Sequence, residues 1–140
     1  MKVVIDTNVI LDVWLARDPF FIDSARVLSA AEIKTISGVI CPTTVTTLHY
    51  IVKKYRGEAK ARELLESILK ICSVGVFRNM EVMGALNSEI TDFEDAVVES
   101  VALKTGANFI VTRNLADFKK SRVPVVEPSR LGGTDSARLE

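Results

Sequence analysis

Cysteine is nearly absent from this chain of 140 residues: Cys41 and Cys72 are the only two. Thiols so few and so far apart cannot build a disulfide framework. Neither has a partner at zinc-ligand spacing, so both are expected as buried free thiols in a reducing compartment. Net charge is absent too, since 18 basic side chains balance 18 acidic ones. No global field then draws the chain to nucleic acid or an anionic membrane, and any such binding has to come from a local patch. Long hydrophobic runs are also missing. Uncharged stretches such as Thr35 to Val52 are broken by Gly38, Pro42, several threonines and His49, short of the ~18 apolar residues of a spanning helix. Met1 to Asp6 holds an apolar run of only a few residues, unlike the long segment of a signal peptide. A soluble, cytoplasmic protein with no membrane partner is expected. No internal repeat or low-complexity tract is present.

What is there is ordinary for a folded chain. Apolar residues at 48% and charged residues at 26% suffice at this length to close one core and argue against disorder. One domain is expected over residues 1–131. A loose tail follows at 132–140, where Gly132-Gly133 and mixed small and charged residues show no periodicity.

Val3-Val4-Ile5 is a β-branched run without alternation, the pattern of a strand buried on both faces of a parallel sheet, and it stops at Asp6. Pro19 to about Ile33 repeats apolar residues near helical spacing, with Pro19 suited to a first helical turn. Gly38 to Cys41 reads as a second strand closed by Pro42, after which Thr43 or Thr44 caps a helix to about Tyr55. Glu58 to Ile71 is the clearest amphipathic helix. Ser73 to Phe77 supplies a third strand, and Met80 to Ser88 a short helix. Asp92 to Lys104 gives a further helix ended by Gly106. Asn108 to Thr112 is a fourth strand and Val123 to Val126 a fifth, at an edge because Pro124 cannot donate to a ladder. Strands alternating with helices predict a three-layer α/β/α sandwich around a mostly parallel sheet.

In an open α/β sheet, ligands bind beyond the carboxyl ends of the strands, so the residues after each apolar run are the ones to inspect. Three such places are acidic: Asp6 after the first strand, Asp92 and Asp95 at the start of the helix feeding the fourth, and Asp117 beyond it. Asp92 and Asp95 lie three apart, on one helix face. Converging carboxylates repel unless a divalent cation sits among them. Oxygen-only donors select a hard ion, magnesium or manganese, and phosphodiester hydrolysis is the chemistry that follows. Each acid has a structural use as well. Asp6 with Thr7 and Asn8 suits an Asx turn or a helix cap. Thr91-x-x-Glu94 and Asp92-x-x-Asp95 resemble capping boxes, and Asp117 alone is a loop acid. The coincidence of all three places favours a shared site.

Three blocks, Asp6-Thr7-Asn8-Val9-Ile10-Leu11-Asp12, Asp92-Phe93-Glu94-Asp95-Ala96 and Val111-Thr112-Arg113-Asn114-Leu115-Ala116-Asp117-Phe118, closed by Val125-Val126-Glu127-Pro128, resemble the PIN domain family in order and spacing from Met1 to about Leu131. That resemblance implies a Mg2+- or Mn2+-dependent ribonuclease, often the toxin of a toxin–antitoxin pair similar to VapC, with RNA as substrate, an antitoxin protein as partner and a homodimer as assembly. The family's first acid falls on Asp6, supported by Asn8. Its helix-start acid falls on Asp95, with Asp92 as a further candidate. Its last position falls on Asn114 or Asp117, of which only Asp117 is charged, and Thr112 matches the hydroxyl that orders the site. The glutamate that the family takes from the helix after the second strand is missing, since Pro42 to Gly57 holds no acid and His49 stands near that place. Basic residues for an RNA backbone are Lys53, Lys54, Arg56, Arg113, Lys119, Lys120 and Arg122, of which Arg113 and Lys119 with Lys120 flank Asp117. Aromatics are scarce; Trp14 reads as a packing or interface residue and Phe118 stands beside Asp117.

The leading expectation is a metal-dependent endoribonuclease in which Asp6, Asp95 and Asp117 hold the ion and Asp92 assists. The alternative is a PIN-like RNA- or protein-binding module of weak catalysis, motivated by the missing glutamate. A phosphatase with Asp6 as nucleophile is disfavoured, because Asn8 stands where such sites place a second aspartate.

Overall fold

The computed structural model describes residues 1–132. Its elements run β1 (Lys2–Ile5), α1 (Thr7–Trp14), α2 (Phe21–Glu32), β2 (Ser37–Ile40), α3 (Pro42–Arg56), α4 (Glu58–Ile71), β3 (Cys72–Val74), α5 (Asn79–Leu86), α6 (Phe93–Thr105), β4 (Phe109–Val111), a 3-10 turn (Leu115–Phe118), β5 (Val125–Val126) and α7 (Pro128–Gly132). The five strands form one sheet in the order β3-β2-β1-β4-β5, and every pairing is parallel.

Alternation along β1 explains the layers. Val3 and Ile5 point to one face, where they meet α1, α2, α3 and α4 in a core that includes Ile10, Val27, Leu48 and Ile68. Val4 points to the other, where Val97, Val101 and Ala102 of α6, Ala85 of α5 and Phe118 cover the sheet. A strand covered on both sides has no wet face, hence its unbroken apolar run. The three-layer α/β/α expectation holds, with the sheet wholly parallel.

Several boundaries differ from the sequence reading for local reasons. Pro42 opens α3 as its first residue instead of only closing β2; Cys41 is the cap residue, and neither Thr43 nor Thr44 caps with its side chain. Pro19 precedes α2, which starts at Phe21. The third strand is Cys72–Val74, because only that stretch pairs with β2. Two helices were not anticipated. In α1, Asp12 is fully buried and breaks the expected apolar stripe, and α7 buries Leu131 against the first core. Residues 133–140, most of the expected loose tail, lie outside the described residues. Both cysteines are free and buried, as expected. Burial, helped by Asp6, pushes the Cys41 thiol up to about 12, so it stays an inert thiol.

Candidate active site

The chain builds β1, β2 and β3 outward on one side of β1, then crosses back to lay β4 against the other. Order therefore reverses between β1 and β4, and a crevice opens at their carboxyl ends. Ile5 is registered with Val111, so the next residues, Asp6 and Thr112, are neighbours by construction. The Thr112 hydroxyl donates to Asp6 Oδ2 at 2.8 Å. Asn8 Nδ2 donates to the same oxygen at 3.1 Å, and the Thr7 N–H to Oδ1 at 2.9 Å, capping α1. Asp6 thus performs the capping role and is also pinned, with Oδ1 accepting one bond and Oδ2 two.

Thr112 is itself fully employed. Its oxygen accepts from Asn8 Nδ2 and from the Asn114 N–H, each at 3.1 Å, while Asn8 Oδ1 accepts from the Arg113 N–H at 3.2 Å. The network fixes the Asp6 rotamer from three segments of chain.

A cleft of about 220 Å3 opens over this carboxylate, lined by Asp6, Asn8, Glu94, Asp95 and Asn114 and by Thr43, Thr44 and Thr47 of α3. Threonines thus line the α3 wall, on the helix where the resemblance implied a glutamate, and Thr7 Oγ1 donates to Thr44 Oγ1 at 2.9 Å. Burial raises the Asp6 carboxyl above the ordinary range, with Glu94 adding to it against the pull of Thr112, Thr7 and Asn8. Asp95 is pushed up to about 7 by burial and then by Asp92, Asp6, Asp117 and Glu94. Every charge acting there is negative. Glu94 was not singled out in the sequence as a site residue because Thr91-x-x-Glu94 resembled a capping box; in the structure Asp92 is the cap, accepting from the Asp95 N–H at 3.1 Å. The adjacency of Glu94 to Asp95 was the available signal.

The structure brings some predicted residues together and separates others. Asp6, Asp95, Asn8 and Asn114 share the cleft. Asp92, Asp117 and Lys119 line an adjoining groove with Lys120, from which Asp117 reaches Asp95 only through its field. Arg113 does not line the cleft: its guanidinium grips the fully buried Asp12 at 2.6 and 3.0 Å and lies 3.9 Å over the Phe20 ring. His49 is also diverted, its Nε2 lying 2.8 Å from Glu58 Oε2 of α4. Trp14 packs on the first core, and Phe118 is buried in the second.

Among the described residues no three acids, histidines or cysteines gather into a ready metal cage. The pair Asp6 and Asp95 nonetheless fits a magnesium-sized ion, which takes one or two carboxylates and keeps several waters. Both are hard oxygen donors lining one cleft, and burial, with neighbouring carboxylates adding to it, raises the proton affinity of each.

A parallel α/β sheet with a pinned aspartate at its switch point and a second acid across the crevice defines a fold built to present carboxylates at one edge. A profile of the PIN domain family matches residues 2–116, and the chain belongs to that family. Similar folds occur in VapBC2 from Rickettsia felis bound to a promoter DNA fragment (TM-score 0.69, 18% identity, 91% of this chain and 98% of that one). A toxin–antitoxin complex from Klebsiella pneumoniae gives TM-score 0.69 at 22% identity over 90% and 97%. VapBC-1 from nontypeable Haemophilus influenzae gives 0.68 at 13% over 92% and 99%. No curated protein matches the chain. Among the described residues no helix is long and apolar enough to cross a membrane.

Proposed function

We propose that this PIN domain is a magnesium- or manganese-dependent endoribonuclease and the toxin half of a toxin–antitoxin pair. The observation that carries the reading is the pairing of Asp6 and Asp95 across one cleft with no cationic group among the charges that shift them. Asp6 and Asp95 hold the ion. Asp117 adds negative potential from the adjoining groove and Asp92 assists. When bound, a divalent cation supplies Lewis acidity toward the scissile phosphate and a water acidic enough to attack it.

The chain's own groups do the rest. Thr112, Asn8 and the Thr7 N–H keep Asp6 in one orientation, and Asn114 steadies Thr112 through its backbone. Lys119 and Lys120, on the groove beside Asp117, neutralise RNA phosphates. The likeness of the fold to VapBC2 and to a toxin–antitoxin complex supports the toxin role. Self-association is part of the reading, supported by Met80, Met83 and Leu86, exposed at three-residue spacing along α5.

The threonine wall on α3 favours a second reading, an RNA-binding module with little catalysis. Incubation with a mixed panel of structured and single-stranded RNAs, with manganese, magnesium or chelator, separates the two. Cleavage that requires both metal and Asp6, absent in Asp6→Asn, supports the nuclease. RNA binding by folded protein without cleavage under either metal supports the module.

A further inference from the structure

Glu99 is one helical turn beyond Asp95 on α6 and is only 1% exposed, yet it carries a charge. Its Oε1 accepts from the Ser88 hydroxyl at 2.7 Å and from Arg122 Nη2 at 3.0 Å. Its Oε2 accepts from the Arg122 backbone N–H at 2.9 Å. Burial works to raise this carboxyl, but Arg122 and Ser88 outweigh it and hold it below the usual range.

The two partners lie at the roots of opposite lips of one groove. Ser88 Oγ also accepts from the Ile90 N–H at 3.1 Å, fixing the turn that leads to Thr91, Asp92 and Phe93. Arg122 closes the basic loop that begins at Asp117 and carries Lys119 and Lys120. Those six residues line an open groove of about 680 Å3 next to the acid cleft. The Arg122 side chain is 59% exposed, and an ion pair that reaches solvent adds little stability. What a carboxylate adds is direction: two oxygens that set where both lips stand relative to α6.

We propose that Glu99 is a positioning residue of the RNA groove, setting the separation of its two lips through Ser88 and Arg122 so that a single RNA strand lies between them. Half-exposed Phe93 then offers a ring for a base to stack on, opposite the lysines that hold the backbone. This rests on the reading of the chain as a protein that binds and cleaves RNA.

The test compares wild type with Glu99→Ala, Glu99→Gln and Ser88→Ala, well below their melting temperatures. kcat and KM are measured on a single-stranded RNA with manganese, and the affinity for the same RNA by fluorescence anisotropy in chelator. Glu99→Ala is expected to raise KM and Kd about 10-fold, the low end of what loss of a supporting contact costs, with kcat within about 2-fold. Ser88→Ala, which removes one hydroxyl bond to Glu99 and leaves the Arg122 pair in place, moves both in the same direction by less, and Glu99→Gln recovers part of the loss. Wild-type cleavage with KM and Kd unchanged in all three variants, whatever their melting temperatures, overturns the positioning role and leaves the nuclease standing. Wild type that binds RNA without cleaving it, with the variants weakened, upholds the positioning role and removes the nuclease. Wild type that neither binds nor cleaves overturns both.

Discussion

Asp6 and Asp12 stand six residues apart on one strand–helix unit, both almost wholly buried, and the fold treats them in opposite ways. Asp12 is closed off by a bidentate Arg113, a Ser24 hydroxyl at 3.1 Å and Arg17 at 3.9 Å. Asp6 receives only neutral donors and faces other acids. Arg17 lines the cleft over Asp6 as well, yet among the described residues no cationic side chain is bonded to the Asp6 carboxylate. Under the proposed function, Asp12 is a structural charge and Asp6 the one that takes a cation from outside the chain.

The sharpest way to break that comparison is to neutralise each aspartate in turn. Asp12→Asn leaves the Arg113 guanidinium without its carboxylate and is expected to cost about 3 kcal/mol of stability by urea unfolding, the scale for breaking a buried pair. Asp6→Asn is expected to leave stability intact or raised, while RNA cleavage falls by at least ~100-fold, beyond what loss of a supporting group costs. Equal stability losses in the two variants would dissolve the distinction.

Thr112→Val probes the support of Asp6 and is expected to weaken manganese affinity and cleavage by about 10- to 100-fold, read by titration and by initial rates. The pH dependence sharpens the picture further. The fold pushes the Asp95 carboxyl up to about 7 from its ordinary 3.8, so between about pH 4 and pH 7 the metal-free folded state binds more protons than the unfolded one. Stability from this group therefore falls as pH rises through that window. Thermal melts in chelator should show the fall, and Asp95→Asn or added manganese should flatten it. The smallest effect belongs to His49→Ala. With its ring turned to Glu58 and away from the cleft lining, cleavage should stay within about 2-fold of wild type, since a half-exposed side-chain pair contributes little.

Much of this was legible because parallel strands advertise themselves. Val3-Val4-Ile5 could hardly be anything but a doubly covered strand, and the acid directly after it lands where such sheets bind ligands. The Glu58–Ile71 helix and the later helix ended by Gly106, left-handed at φ 70, were readable from periodicity and capping. Arg113 was not. Its sequence position beside Asp117 pointed to substrate, whereas its side chain turns to an aspartate 101 residues earlier, a pairing that only the β1–β4 register creates. Asp117 and Asp95 were grouped by their places near the strand ends and by the resemblance, and sequence spacing carries no information on which side of a lip each carboxylate falls. The helix α1 stayed hidden because its Asp6-Thr7-Asn8 start resembles a turn.

Manganese titration of the metal-free protein near pH 7.5, followed by calorimetry for wild type, Asp6→Asn and Asp95→Asn, tests the central claim most directly. The account predicts saturable binding by wild type and its loss in either variant, with all three folded. Undiminished binding in both variants would show that the Asp6 and Asp95 pair is not the cation site.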